Sequence, residues 1–159
     1  MKKTCRKKRY KKNKTHRKRK GGSAKLTVAY GQNSIMNGVD LSGKPNLYKQ
    51  IPKITINLND EKTYLVTLTD PDAPAGQWTH YVALIKTNGT VQKYIYNYEP
   101  PNPPANSGVH HYNFNIYSKN IIPRDNLKKL PGNLYYKQEL EPLIKNLQPQ
   151  ATLQFTVKS

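Results

Sequence analysis

The chain has 159 residues, 27 Lys and Arg against nine Asp and Glu, and a formal net charge of +18. This length predicts a single domain. Its one cysteine, Cys5, excludes an intrachain disulfide and a cysteine-based zinc site, and no apolar run approaches the roughly 20 residues of a membrane helix.

The charge is concentrated at the N-terminus. Thirteen of the 27 basic residues lie in 2–20, which holds no acid, leaving fourteen basic residues against nine acids elsewhere, a surplus of five. Like charges at this density repel and bury nothing, so residues 1–22 are expected to be a disordered basic tail preceding a domain over 23–159. The tail is followed by Gly21-Gly22-Ser23 and not by an apolar segment, so it does not read as a secretory signal. The expected setting is intracellular, with cytoplasm, nucleus and virion left open. Such a tail can neutralise nucleic-acid phosphates, sit on an anionic membrane, or simply solubilise the chain. Only Tyr10 and His16 in it can stack on bases, so contact with nucleic acid would be non-specific.

Beyond the tail the chain reads as strands. "KLTVAY" (25–30) and "KITINL" (53–58) alternate apolar and polar residues, and "TYLVTLT" (63–69) is dense enough to be buried on both faces. "THYVALIKT" (79–87) and "TVQKYIYNY" (90–98) flank Asn88-Gly89, a strong hairpin signal. "VHHYNFNIY" (109–117) and "ATLQFTV" (151–157) alternate again. One stretch, "EPLIKNL" (141–147), has helical spacing, with Leu140, Leu143, Ile144 and Leu147 on one face and Pro142 in the first turn. The expected fold is all-β, mainly β with one or two short helices, an antiparallel two-sheet Greek-key β-sandwich.

Two proline-rich loops interrupt the strands: "DPDAPAGQ" (70–77) and "EPPNPPANSG" (99–108). Proline fixes φ and restricts its predecessor, so both loops are expected to be stiff. Strict alternation places His80 on one face with Trp78, Val82 and Leu84, and Thr79, Tyr81 and Ala83 on the other. By the same rule His110 and Tyr112 join Phe114 and Ile116, with His111 opposite. The picture is a pocket mouth formed by Trp78, His80, His110 and Tyr112 beneath the loop carrying Asp70. Plainer roles compete: an inward His satisfied in the core, Asp70 as a turn former, Trp78 as core.

The chemistry of this set favours an anion pocket. Histidine and tyrosine supply donors, loop amides near Gly108 can face an oxyanion, and Asp70 can orient one histidine. No ligand spacing supports a metal, and no cofactor is expected. Ser107 lacks the strand–elbow–helix setting of a hydrolase serine, so no catalytic residue is assigned and the chain is expected not to be an enzyme.

"TDPDAPAGQWTHYVALI" (69–85) and "YEPPNPPANSGVHHYNFNIY" (98–117) resemble the two signature segments of the phosphatidylethanolamine-binding protein family, which includes the Raf kinase inhibitor protein. The resemblance covers about residues 25–159. It implies a β-sandwich with a small pocket for phosphate-like groups, phosphoethanolamine-type headgroups or phosphorylated partners. It carries ligand-binding roles onto Asp70, Trp78, His80, Gly108, His110 and Tyr112, and implies regulation without turnover. Three departures stand out: His111 replaces the usual Arg, Thr79 replaces the first of a His pair, and the sequence ends without the C-terminal helix of animal members. The basic tail ending in Gly-Gly is similar to those on proteins of large DNA viruses.

Overall fold

The computed structural model describes residues 25–57, 62–118 and 122–159. The basic tail, with Cys5, Tyr10, His16 and Gly21-Gly22-Ser23, lies outside these residues, as does Leu58.

All seven expected strands form. They are β1 (Lys25–Tyr30), β4 (Lys53–Asn57), β5 (Thr63–Asp70), β6 (Trp78–Lys86), β7 (Val91–Tyr96), β8 (Val109–Ser118) and β9 (Ala151–Lys158). Two short strands join them, β2 (Asn33–Ile35) and β3 (Val39–Asp40). A three-stranded sheet runs β2-β1-β4, and a six-stranded sheet runs β3-β9-β8-β5-β6-β7. The expected two-sheet sandwich is therefore present. One pairing departs from the antiparallel rule: β3 lies parallel to β9, Val39 opposite Phe155.

The main core lies between the sheets, where Val28, Ile54, Leu68, Tyr81, Phe114 and Phe155 are buried together. Burying such side chains contributes about 1.5–3 kcal/mol each. The outer face of the large sheet is covered as well. Leu65, Val82, Leu84 and Tyr117 pack there against Tyr135, Leu140 and Ile144. Every residue of β5 is consequently buried, as its dense apolar run implies.

That outer layer corrects the helix expectation. The helical stretch begins nine residues before 141, as α2 (Gly132–Tyr135), a π-helical turn (Tyr136–Leu140) and α3 (Glu141–Ile144). Leu140 and Ile144 face the sheet, while Leu143 and Leu147 are exposed. Pro142 lacks an amide proton and its ring crowds the carbonyl four residues back, so the turn before it widens to π spacing. A further short helix, α1 (Pro45–Tyr48), starts on Pro45.

The β6–β7 hairpin turns at Asn88-Gly89 as expected. Gly89 has φ +89° and donates its amide to Lys86 O at 2.9 Å. A Cβ at Gly89 would also stand 2.8 Å from Ile54 O, so glycine is required by the close approach to β4 as well as by the turn.

Candidate functional site

Three strands bring the site together. β5 runs antiparallel to both β6 and β8, so its C-terminal end lies beside the beginnings of the other two. Asp70 ends β5, Trp78 and His80 begin β6, and His110 and Tyr112 begin β8. A cleft of about 360 Å³ opens between them, lined by these five residues, Glu99 and prolines of both stiff loops. Gly108 is not among the lining residues. Its carbonyl accepts from Ser159 N at 3.1 Å and its amide donates to Ser159 Oγ at 3.1 Å.

His80 reaches the cleft by a route that strict alternation does not supply. Leu68 pairs with Tyr81, but its neighbour Thr69 pairs with Thr79, so His80 has no partner on β5. It is the extra residue of a β-bulge, and a bulge re-aims the side chain it carries. Val82 and Leu84 face the helical layer, whereas Tyr81 and Ala83 face the core beside Tyr112. Grouping His80 with Val82 and Leu84 is therefore incorrect. The bulge brings its ring edge-on to that of Tyr112, with centroids 5.2 Å apart.

Asp70 is buried and fully engaged. Its Oδ1 accepts from Asp72 N at 2.9 Å, closing the turn, and its Oδ2 accepts from His110 Nδ1 at 2.7 Å. It is thus both turn former and orienter. His110 is completely buried, and its Nε2 lies 2.8 Å from Ser107 Oγ. Neither nitrogen of His110 faces the cleft unpartnered. His80 Nδ1 donates to Glu99 O at 2.9 Å, which leaves Nε2 open. Burial is the largest influence on that ring and holds its pKa below the ordinary histidine value.

Tyr112 is the least satisfied member of the group. It is completely buried, and its hydroxyl makes no hydrogen bond of regular geometry among the described residues, although the Asp70 carboxylate is near enough for a weak one. Burial raises its pKa well above the ordinary tyrosine value, and the Asp70 carboxylate adds to this. Leaving a buried hydroxyl unpaired costs about 1–3 kcal/mol.

Of two further neighbours, one was not singled out in the sequence and the other was weighed there only as a hydrolase serine. Glu99 accepts from Trp78 Nε1 at 3.2 Å and from the Tyr96 hydroxyl at 2.8 Å. Its place between a strand and Pro100 is the signal that marks it. Ser107 is the other, through its contact with His110. His111, on the opposite face of β8 as expected, binds Asp72: its amide and its Nδ1 both approach Asp72 Oδ2, at 2.8 and 2.7 Å. Burial pulls the Asp72 carboxyl up, but the His111 amide and ring outweigh it and hold the group below its ordinary value. Two acids of one loop are thus fastened by two consecutive histidines of β8. Among the described residues no cluster of three or more His, Cys, Asp or Glu could hold a metal ion, and no helix is long and apolar enough to cross a membrane.

Comparison with known proteins points one way. The profile of the phosphatidylethanolamine-binding protein family matches residues 22–157. A UPF0098 protein of Pyrococcus horikoshii is 30% identical over 124 residues, covering 60% of this chain and 59% of that protein. Protein FLOWERING LOCUS T of Arabidopsis thaliana is 30% identical over 105 residues, covering 60% of this chain and 58% of that protein. The matches span about three-fifths of these relatives' own lengths. Among solved structures, the fold is similar to that of a carboxypeptidase Y inhibitor complexed with its cognate proteinase. That likeness has a TM-score of 0.64 and 22% identity, over 86% of this chain and 84% of the inhibitor. The phosphatidylethanolamine-binding protein of Plasmodium vivax gives a TM-score of 0.57 and 16% identity, over 84% of each chain.

Proposed function

The chain belongs to the phosphatidylethanolamine-binding protein family, and on that premise we propose that its cleft is a regulatory ligand site. It takes a small phosphate-like anion, either a phosphoethanolamine-type headgroup or a phosphorylated group on a partner. The observation that carries this reading is the buried hydroxyl of Tyr112, a residue lining the cleft, which has no hydrogen bond of regular geometry. A ligand oxygen accepting from it relieves the cost of leaving it unpaired. Binding in this reading needs no turnover.

His80 makes the site pH-dependent. In the neutral ring Nδ1 holds the proton, committed to Glu99 O, so Nε2 is an acceptor. Protonation turns Nε2 into a charged donor, and the lowered pKa places that event below the ordinary histidine range of about 6.5. Anion affinity therefore rises as pH falls through that lowered value. The Asp70 and Glu99 carboxylates in the cleft wall disfavour a dianion, which acts in the same direction, since a phosphate monoester loses its second charge near pH 6.

Titration with phosphoethanolamine at pH about 7.5 and about 5.5, either side of the histidine range, tests this. The readouts are the fluorescence of Trp78, the one tryptophan, and the His80 NMR shifts. Sulfate, whose charge is constant over this range, isolates the contribution of His80. Several-fold tighter binding at the lower pH is expected; no response at millimolar ligand at either pH refutes the reading. The thirteen basic residues in 2–20 favour a second role that uses a different segment, non-specific contact with nucleic acid or an anionic membrane.

A further inference from the structure

The cleft has a neighbour. Pro100, Asn102 and Pro103 line both the cleft and a second depression of about 620 Å³. The other walls of that depression come from the end of α1, with Tyr48 and Lys49, and the end of β9, with Val157 and Lys158. Charge is divided unevenly between the two. No Lys or Arg lines the cleft, whereas Asp70 and Glu99 do. Lys49 and Lys158 line the second depression, and no Asp or Glu does. Both lysines are exposed, and neither pairs with a carboxylate among the described residues. A phosphate-like group in the cleft therefore meets hydrogen-bond donors but no fixed cation, while the cations stand next door.

From this division we propose that the two depressions form one bipartite site for an extended, acidic phosphopeptide. The phosphate enters the cleft, the chain crosses the shared ridge at Asn102, and a neighbouring carboxylate meets Lys49 and Lys158. The inference rests on the anion reading of the cleft and gives that site its partner class.

The surroundings favour a peptide over a lipid surface. Asn102 is exposed at the ridge, and its side-chain amide makes no hydrogen bond among the described residues. It offers one acceptor and a pair of donors, which a peptide unit matches. None of the large apolar residues exposed among the described residues, Met36, Ile51 and Leu127 among them, lines either depression. The rim thus lacks the apolar anchors with which a protein enters a bilayer interface. The walls are also held in place. The Tyr98 hydroxyl donates to Tyr48 O, Lys158 N donates to Ser42 Oγ at 2.7 Å, and Ser159 N donates to Gly108 O at 3.1 Å. A groove built in advance binds an extended chain at a smaller ordering cost. In such a chain, side chains two residues apart share a face, so a phosphorylated residue and a nearby acid can occupy both depressions at once.

The test titrates the full chain with three peptides at about 0.15 M salt, which screens long-range attraction by the basic N-terminal segment. A pH of about 5.5 favours anions in the cleft and keeps Glu side chains ionised. The first peptide is Glu-Glu-Gly-phosphoserine-Gly-Glu-Glu, whose acids reach the lysines in either chain direction. The second has Gln for each Glu, and the third lacks the phosphate. The acidic phosphopeptide should bind about fivefold more tightly than the Gln version, as two exposed ion pairs allow, and more tightly than the unphosphorylated one. Lys49→Gln/Lys158→Gln should erase the preference for Glu over Gln and leave phosphoethanolamine binding unchanged. Both replaced side chains are exposed, and unaltered circular dichroism would verify the fold.

Equal affinity for the Glu and Gln phosphopeptides overturns the proposal. So does a preference that survives in the double variant, which would assign the acids to the N-terminal segment. Vesicles containing phosphatidylethanolamine that bind through Lys49 and Lys158, with no peptide preference, would assign the groove to a membrane and overturn it as well. Phosphoethanolamine binding without the peptide preference removes this inference and leaves the cleft reading standing. Failure of phosphoethanolamine and of every phosphopeptide removes both.

Discussion

Tyr112 carries two loads that one substitution separates. Its ring is core, stacked 5.1 Å from Phe155, while its hydroxyl is buried with no hydrogen bond of regular geometry. Tyr112→Phe keeps the ring and deletes the orphan. Stability should therefore hold or rise by about 1 kcal/mol in thermal unfolding. Phosphoethanolamine affinity should instead fall about 5–10-fold, the worth of one hydrogen bond. A variant that loses stability as well would place the hydroxyl in an internal bond and remove the main support for the ligand reading. At this scale the sequence was informative in an uneven way. Asp70, Trp78, His80, His110 and Tyr112 were recognisable because two proline-rich loops meet strands at those points. Glu99 was not, and Ser107 was weighed only as a hydrolase serine, because their part in the site comes from contacts across the cleft and the loop. His111 was legible as the outward neighbour of His110, but its grip on Asp72 depends on the turn that Asp70 closes.

Among the elements, the helical stretch 132–144 is tied closely to the site. A Cβ at Gly132 would fall 2.2 Å from Trp78 Nε1 and 2.6 Å from Thr79 O. A backbone carbonyl cannot yield as a flexible side chain can, so Gly132→Ala should push α2 off β6. The expected cost is about 1–3 kcal/mol, as for overpacking, read as a lower Tm together with altered Trp78 emission. An unchanged Tm would show that α2 is not seated on Trp78. This coupling was hidden in the sequence, where "PGNLYYKQEL" lacks an apolar stripe of helical period and the regular spacing begins only at Leu140. Its buried residues, Tyr135 and Leu140, meet a sheet face that is itself apolar, and packing decided the element where local pattern did not. The same reason explains the missed strands. β2 and β3 are three and two residues long, and each exists because a longer strand offers it an edge.

Taken whole, the molecule joins a mildly basic body to a strongly basic N-terminal segment. The seven longer strands were readable because alternation, β-branched runs and Asn88-Gly89 all agreed, and such agreement across levels is what makes a pattern dependable. The two segments should separate by experiment. If the thirteen charges in 2–20 engage about six duplex phosphates, the log of the DNA affinity falls with log salt at a slope of about −5. Removing 2–20 should abolish that binding at moderate salt and leave phosphoethanolamine binding unchanged. DNA affinity that survives the deletion would place the contact on the body.

The bulge at His80 has a consequence for how the site can be altered. The residue that faces the cleft is the surplus one on its strand and has no partner in the β5 ladder. A substitution there leaves the pairing of β5 with β6 as it is, so the chemistry presented to the cleft can be changed by design without renegotiating strand register.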